Sequence, residues 1–134
     1  MICIISCGFK KLKSPNRACD LYVGPLFKAS LRYARLRFPD HKIFILSAKY
    51  GLIPSHQIIA PYDEKIGVNE SITVDLLIDQ AQRLGILNQD IMIIAGKAYS
   101  DFVKMVFKDV KITNPIHNLS LGYAIQLLTN GSKR

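Results

Sequence analysis

A three-layer, Rossmann-like α/β fold, with a four-stranded, mostly parallel sheet and helices on both faces, is what the hydrophobic pattern of this chain predicts. Three observations carry that expectation. Continuous apolar runs recur at Met1–Cys7, Lys42–Leu46, Asp90–Ala95 and Val110–Thr113, and runs without polar alternation suit strands buried on both faces. The stretches between them hold apolar residues at helical spacing. The order is therefore β-α-β-α-β-α-β-α, which implies parallel strands joined by right-handed crossovers. Residues 1–134 read as one domain, without internal repeat, low-complexity region or linker.

Each element has its own justification. Met1–Cys7 is apolar and β-branched, as a central strand should be. Gly8–Gly24 is too broken for an element of its own and reads as a long functional loop. Pro25 suits the first turn of a helix. From Leu26 to Phe38 that helix turns Leu26, Phe27, Ala29, Ser30, Leu31, Ala34 and Phe38 inward. Lys28, Arg32 and Arg35 then form a basic stripe, either a solvated face or a nucleic-acid contact. Pro39-Asp40-His41 ends the helix ahead of strand two, and Gln57–Ala60 adds a short extended piece before Pro61. Asn69 or Ser71 caps a helix running to about Leu84, with Gly85 just past its end. After strand three, Gly96-Lys97 turns into a helix over Ala98–Phe107. Asn114-Pro115 stops strand four, and Leu119-Ser120 opens a last helix, Leu121–Leu128, before a polar tail.

Composition narrows the function classes. With 134 residues, 49% of them apolar, the chain is long enough to bury a core without disulfides or a structural metal. Cys3, Cys7 and Cys19 follow no paired spacing. Cys3 and Cys7 lie roughly 13 Å apart on an extended strand, too far for one ion, so neither zinc nor any other metal is expected. No apolar run reaches the ~20 residues of a membrane helix, and the start MICIISCGFKK lacks the positive region of a signal peptide. A cytoplasmic location and no membrane partner are the expectations. The net charge of +8 favours a polyanionic partner, a nucleotide or nucleic acid.

Parallel strands deliver their carboxyl-end loops to one edge of a sheet, where ligands of open α/β folds bind. Strand one brings Ser6, Cys7, Gly8, Lys10 and Lys11; strand two brings Ser47, Lys49, Tyr50 and Gly51. Strand three brings Gly96, Lys97 and Tyr99, and strand four Asn114 and His117. Helix N-termini point at the same edge, and the combination suits a phosphate. No dinucleotide fingerprint, P-loop, nucleophile elbow or zinc-protease motif occurs, and no cofactor is implied. Asp20, Asp63 and Glu64 are the carboxylates of these loops. Asp20 or Asp63 then serves as charge stabiliser or base with Lys49 or a tyrosine as proton donor, unless each is only a turn or cap aspartate. Tyr22, Tyr50 and Tyr62 offer faces on which a base stacks, or else pack as loop tyrosines. Cys7 has no histidine near it in sequence and is more readily a buried cysteine than a nucleophile.

Cys7-Gly-Phe-Lys10-Lys11, Ala18-Cys-Asp20-Leu21-Tyr22-Val-Gly24-Pro-Leu-Phe27, and Leu46-Ser47-Ala48-Lys49-Tyr50-Gly51-Leu52-Ile53 with Pro61-Tyr62-Asp63 together resemble a small bacterial and phage domain. That domain in turn resembles the YaaA-type peroxide-stress proteins, whose similar signature is a strand running into Ser-x-x-Tyr-Gly-Leu followed by a Pro-Tyr pair. Leu121-Gly122-Tyr123-Ala124-Ile125 is similar to the start of the small domain's last helix. The resemblance implies DNA binding or, more loosely, chemistry at a base or glycosidic bond. The expected function is an enzyme of nucleotide or nucleic-acid base metabolism acting at an N-glycosidic bond, a hydrolase or transferase. The alternatives are a non-catalytic DNA- or RNA-binding module using Lys28, Arg32 and Arg35, and a protein that sequesters a nucleotide.

Overall fold

The structure, a computed structural model, describes residues 1–63 and 72–133. Its first half contains β1 (Ile2–Ser6), β2 (Asn16–Arg17), α1 (Ala18–Leu21), α2 (Pro25–Arg35), β3 (Ile43–Ser47), β4 (Gly51–Pro54) and β5 (Ile58–Ile59). There follow α3 (Val74–Arg83), β6 (Ile91–Ile94), α4 (Lys97–Val106), β7 (Ile112–Thr113) and α5 (Leu121–Asn130). The four strands expected from the apolar runs are β1, β3, β6 and β7, and all pair in parallel.

Among the described residues the sheet nonetheless has five strands, in the order β4-β3-β1-β6-β7, and is mixed. The fifth, β4, returns antiparallel along β3. Ser47 begins a tight reversal that ends at Gly51, whose φ of 76° is costly for any residue with a Cβ. The apolar part of β4 is only Leu52 and Ile53, closed by Pro54, so nothing in the sequence separated it from a connection. A second correction concerns Gly8–Gly24. That segment carries β2, which pairs antiparallel with β5, and the single-turn helix α1. The expected extended piece at Gln57–Ala60 is β5.

Packing explains why the parallel strands lack polar alternation. On β1, Cys3 and Ile5 pack with Leu31 and Ala34 of α2 and with Ala124 and Leu128 of α5. Ile2 and Ile4 pack on the other face with Leu77 and Ala81 of α3 and with Val103 and Val106 of α4. Both faces of the strand are covered, and each isoleucine so buried contributes about 1.5–3 kcal/mol. Among the helix caps, Thr73 accepts a 3.1 Å hydrogen bond from the Leu76 amide and starts α3. Thr73 thus caps the helix in place of the expected Asn69 or Ser71, which, like Glu64, lie outside the described residues. No helix among the described residues is long and apolar enough to cross a membrane.

Candidate functional site

The carboxyl ends of β1, β3, β6 and β7 meet at one edge of the sheet, and the chemistry there falls into two parts. Around β1 and β3 the polar side chains bind one another. Ser47 ends β3, Tyr22 follows α1 and Tyr62 follows β5. Ser47 Oγ donates to Tyr62 Oη at 2.7 Å, and the Tyr62 and Tyr22 hydroxyls are hydrogen-bonded in turn. Ser47 Oγ also accepts from the Lys49 and Tyr50 amides at 3.2 and 3.0 Å, which shapes the reversal into β4. Gln80 of α3 clamps the same turn. Its Nε2 donates to the Tyr50 carbonyl, and its Oε1 accepts from the Leu52 amide, each at 2.8 Å.

The rings extend the network. Tyr50 stands edge-on to Tyr62, with centroids 5.5 Å apart, and Tyr22 packs on Phe27 at 5.0 Å. Tyr22 is 1% exposed and Tyr62 8%. Neither therefore presents the open face that base stacking needs, and both fill the loop-tyrosine role instead. Burial, and after it the neighbouring Cys7, push both phenols above their ordinary range and keep them protonated. Cys7 Sγ lies 3.1 Å from Tyr99 Oη, which ties the loop after β1 to α4. Ser6 Oγ reaches the Ile94 carbonyl at 3.5 Å, and Gly8 lies against Phe27.

Over this buried network lies a layer of cations. Lys11 Nζ sits 4.4 Å from the Tyr62 ring centroid and donates to the Phe9 carbonyl at 3.0 Å. A hollow of about 480 Å³ opens there, lined by Phe9, Lys10, Lys11, Lys13, Pro61, Tyr62 and Asp63 among others. Asp63, exposed at its wall, is the carboxylate of this hollow among the described residues.

The two alternative carboxylates, Asp20 and Asp63, border different hollows. Asp20 lies in a different hollow, of about 470 Å³, with Cys19, Lys28, Arg32 and Arg35. There it is held by Arg17 Nη2 at 2.7 Å. Lys49 is exposed, 5.5 Å above the Tyr50 ring, and lines neither hollow. Of the two, only Asp63 keeps company with the strand-end Lys10 and Lys11. The basic stripe does share one surface: Lys28, Arg32 and Arg35 all border the hollow beside Asp20. Gly51 is closed in by Gln80 and is part of the clamp rather than a ligand surface.

At the β6 and β7 end the edge is open. A hollow of about 370 Å³ is bordered by Gly96, Lys97, Ser100, Lys104, Asn114 and His117, with Leu26, Ile116 and Leu121 as its apolar part. Gly96 and Lys97 were expected at the edge; Ser100 and Lys104 were not. Both lie inside α4, where only the helix's orientation brings them to the strand ends. Phe9 and Lys13 were likewise legible only as members of a loop. No cluster of three or more His, Cys, Asp or Glu side chains able to hold a metal occurs among the described residues.

Residues 2–130 match the model of a family of unknown function, DUF6884, and the chain belongs to that family. It is also 32% identical over 139 aligned positions to the uncharacterized protein YfjM of Bacillus subtilis (strain 168), with 95% of this chain and 91% of that protein covered.

Proposed function

We propose that this protein is an enzyme of nucleotide or nucleic-acid base metabolism that acts at an N-glycosidic bond, in the hollow formed by Phe9–Lys13 and Pro61–Asp63. One observation carries the reading: three lysines, an exposed aromatic ring and an exposed carboxylate border one hollow at the carboxyl edge of the sheet. Lys10, Lys11 and Lys13 hold phosphate, and Phe9, 68% exposed, meets the base. As the C1′–N bond breaks, positive charge develops on the sugar carbon beside the Asp63 carboxylate, and the base leaves with the bonding pair and takes a proton from solvent. Water forms the new C1′–O bond and gives its proton to Asp63. The buried Ser47–Tyr62–Tyr22 network holds Tyr62, which lines the hollow together with Lys11 and Asp63. The architecture supports the same reading. β1 is central in the sheet, and the loop that follows it lines this hollow, in keeping with ligand binding at strand carboxyl ends in open α/β sheets. The wider likeness to YaaA-type proteins belongs to this proposal as well.

The test is incubation with nucleotides and with DNA carrying modified bases, reading released base by chromatography. Release by the native protein and its loss in Asp63→Asn are the expected outcome; intact substrates at high enzyme concentration overturn it. A second reading rests on the hollow beside α2. As a non-catalytic nucleic-acid module, the protein would bind through Lys28, Arg32 and Arg35, with affinity falling steeply as salt rises. Binding that survives Asp63→Asn and is lost in Arg32→Glu, with no base released, favours that module.

A further inference from the structure

The geometry points to a second small-molecule site at the β6–β7 end of the sheet edge, which takes a small organic phosphate monoester. It is separate from the hollow of Lys10 and Asp63 and does not depend on the reaction assigned there. The cavity of about 370 Å³ falls in the size range of small-molecule pockets.

Its wall holds a hydroxyl in want of a partner. Ser100 is 4% exposed and lines the cavity, yet its hydroxyl makes no hydrogen bond to any described residue. Buried hydroxyls in native proteins are almost always hydrogen-bonded. No side-chain oxygen or nitrogen among the described residues is both fully sealed and unpartnered, so the Ser100 oxygen keeps some open surface. The cavity that Ser100 lines supplies it.

Charge selects the ligand's sign. Lys97, Lys104 and His117 border the cavity against one carboxylate, Asp101, which Lys97 contacts at 3.3 Å. Among the described residues Lys104 is left for an anion, with an N–H of the His117 imidazole as a further donor. The ten-residue helices α4 and α5 both begin at this cavity, and neither N-cap, Gly96 nor Ser120, makes a side-chain capping bond. Their first amides therefore add to the field of the cations.

The ligand also needs an organic body. Leu26, Ile116, Leu121 and Ala124 form an apolar side that free phosphate would leave uncovered. The opposite wall is fixed in advance. Asn114 Nδ2 donates to the Ala95 carbonyl at 2.9 Å, while its Oδ1 accepts from the Ile116 amide at 3.1 Å. Asn118 completes that wall with a φ of 61°, a conformation asparagine tolerates. A wall already ordered loses little entropy on binding.

The test is an amide NMR titration of the full chain with ribose 5-phosphate, adenosine 5′-monophosphate and inorganic phosphate. Saturable shifts of Gly96, Lys97 and Leu121 with at least one organic phosphate are expected, with inorganic phosphate about tenfold weaker because it covers no apolar surface. Gly96→Asp is the decisive variant. Its Cβ meets nothing within 4 Å, and an aspartate at that N-cap satisfies the α4 amides and raises the melting temperature. The same carboxylate repels the ligand, so binding here should fall at least about tenfold in a better-folded protein. Ser100→Ala should weaken it about fivefold. Asp63→Asn should leave these shifts in place, which separates this site from the one proposed above. Absence of saturable shifts with both organic phosphates, or binding undiminished in Gly96→Asp and Lys104→Glu, overturns the proposal.

Discussion

On the β1–β3 side of the sheet edge, Ser47, Tyr62 and Tyr22 bind one another beneath Lys11, while on the β6–β7 side Ser100, Lys104 and His117 border an open cavity. The two sides are built from similar residue types. They differ in what covers them. The loop before Tyr62, the turn before Gly51 and α1 fold over the first side and bury its hydroxyls, whereas α4 and α5 stand apart at the second. Polar groups at strand ends thus become structure where loops close over them and a potential ligand site where helices hold the walls open.

The largest expected contrast is between two glycines. At Gly51 a Cβ is strained by the backbone and collides with Gln80, so Gly51→Ala should cost about 2–4 kcal/mol through the left-handed penalty and lost clamp bonds. Gly96→Ser, at an open N-cap, should be neutral or stabilising by up to about 1 kcal/mol. Urea unfolding of the two variants checks both, and similar costs would break the comparison.

The hydroxyls give the next contrast. Tyr62→Phe removes the buried acceptor of the Ser47 hydroxyl and one hydrogen-bond partner of Tyr22, and should cost about 1–3 kcal/mol. Ser100→Ala removes a hydroxyl that bonds to no described residue and should stay within about 0.5 kcal/mol.

Alkali sharpens the comparison further. Burial pushes the Cys3 thiol up from 9.0 to about 12, and Tyr22 and Tyr62 are raised above 10.0. In the unfolded chain these groups lose their protons first. Their contribution is therefore fully present below pH 9 and declines from there through pH 12, by up to about 1.4 kcal/mol per pH unit for each group. Unfolding midpoints at rising pH should fall most steeply above pH 10, and Tyr62→Phe should flatten that part of the curve. Lys11→Ala should cost about 0.5–1 kcal/mol of stability through its lost ring contact.

Much of the fold was legible in the sequence because burial on both faces leaves an unmistakable trace. Ile2–Ser6, Ile43–Ser47 and Ile91–Ile94 lie within or one residue from the expected strands, since each strand must be apolar on both sides to sit between two helix layers. β4 left no such trace. It is held by the Ser47 turn and by Gln80, about thirty residues later, and its two apolar residues carry no period. The candidate sites were half legible for a related reason. Strand-end loops announced Lys10, Lys11, Asp63, Gly96 and Lys97, and spacing along α2 announced Lys28, Arg32 and Arg35 as one face.

By itself, then, the sequence determined the doubly buried strands, the alternation of strands and helices, and which basic and hydroxyl side chains stand in the strand-end loops, because hydrophobic period and turn chemistry are local properties. Only the tertiary structure decided that Tyr22 and Tyr62 turn inward onto Ser47, that Asp20 and Asp63 lie in different hollows, and that Ser100 and Lys104 border an open one. Those outcomes depend on how far apart packed helices hold the loops between them, a distance set by contacts between segments remote in the chain.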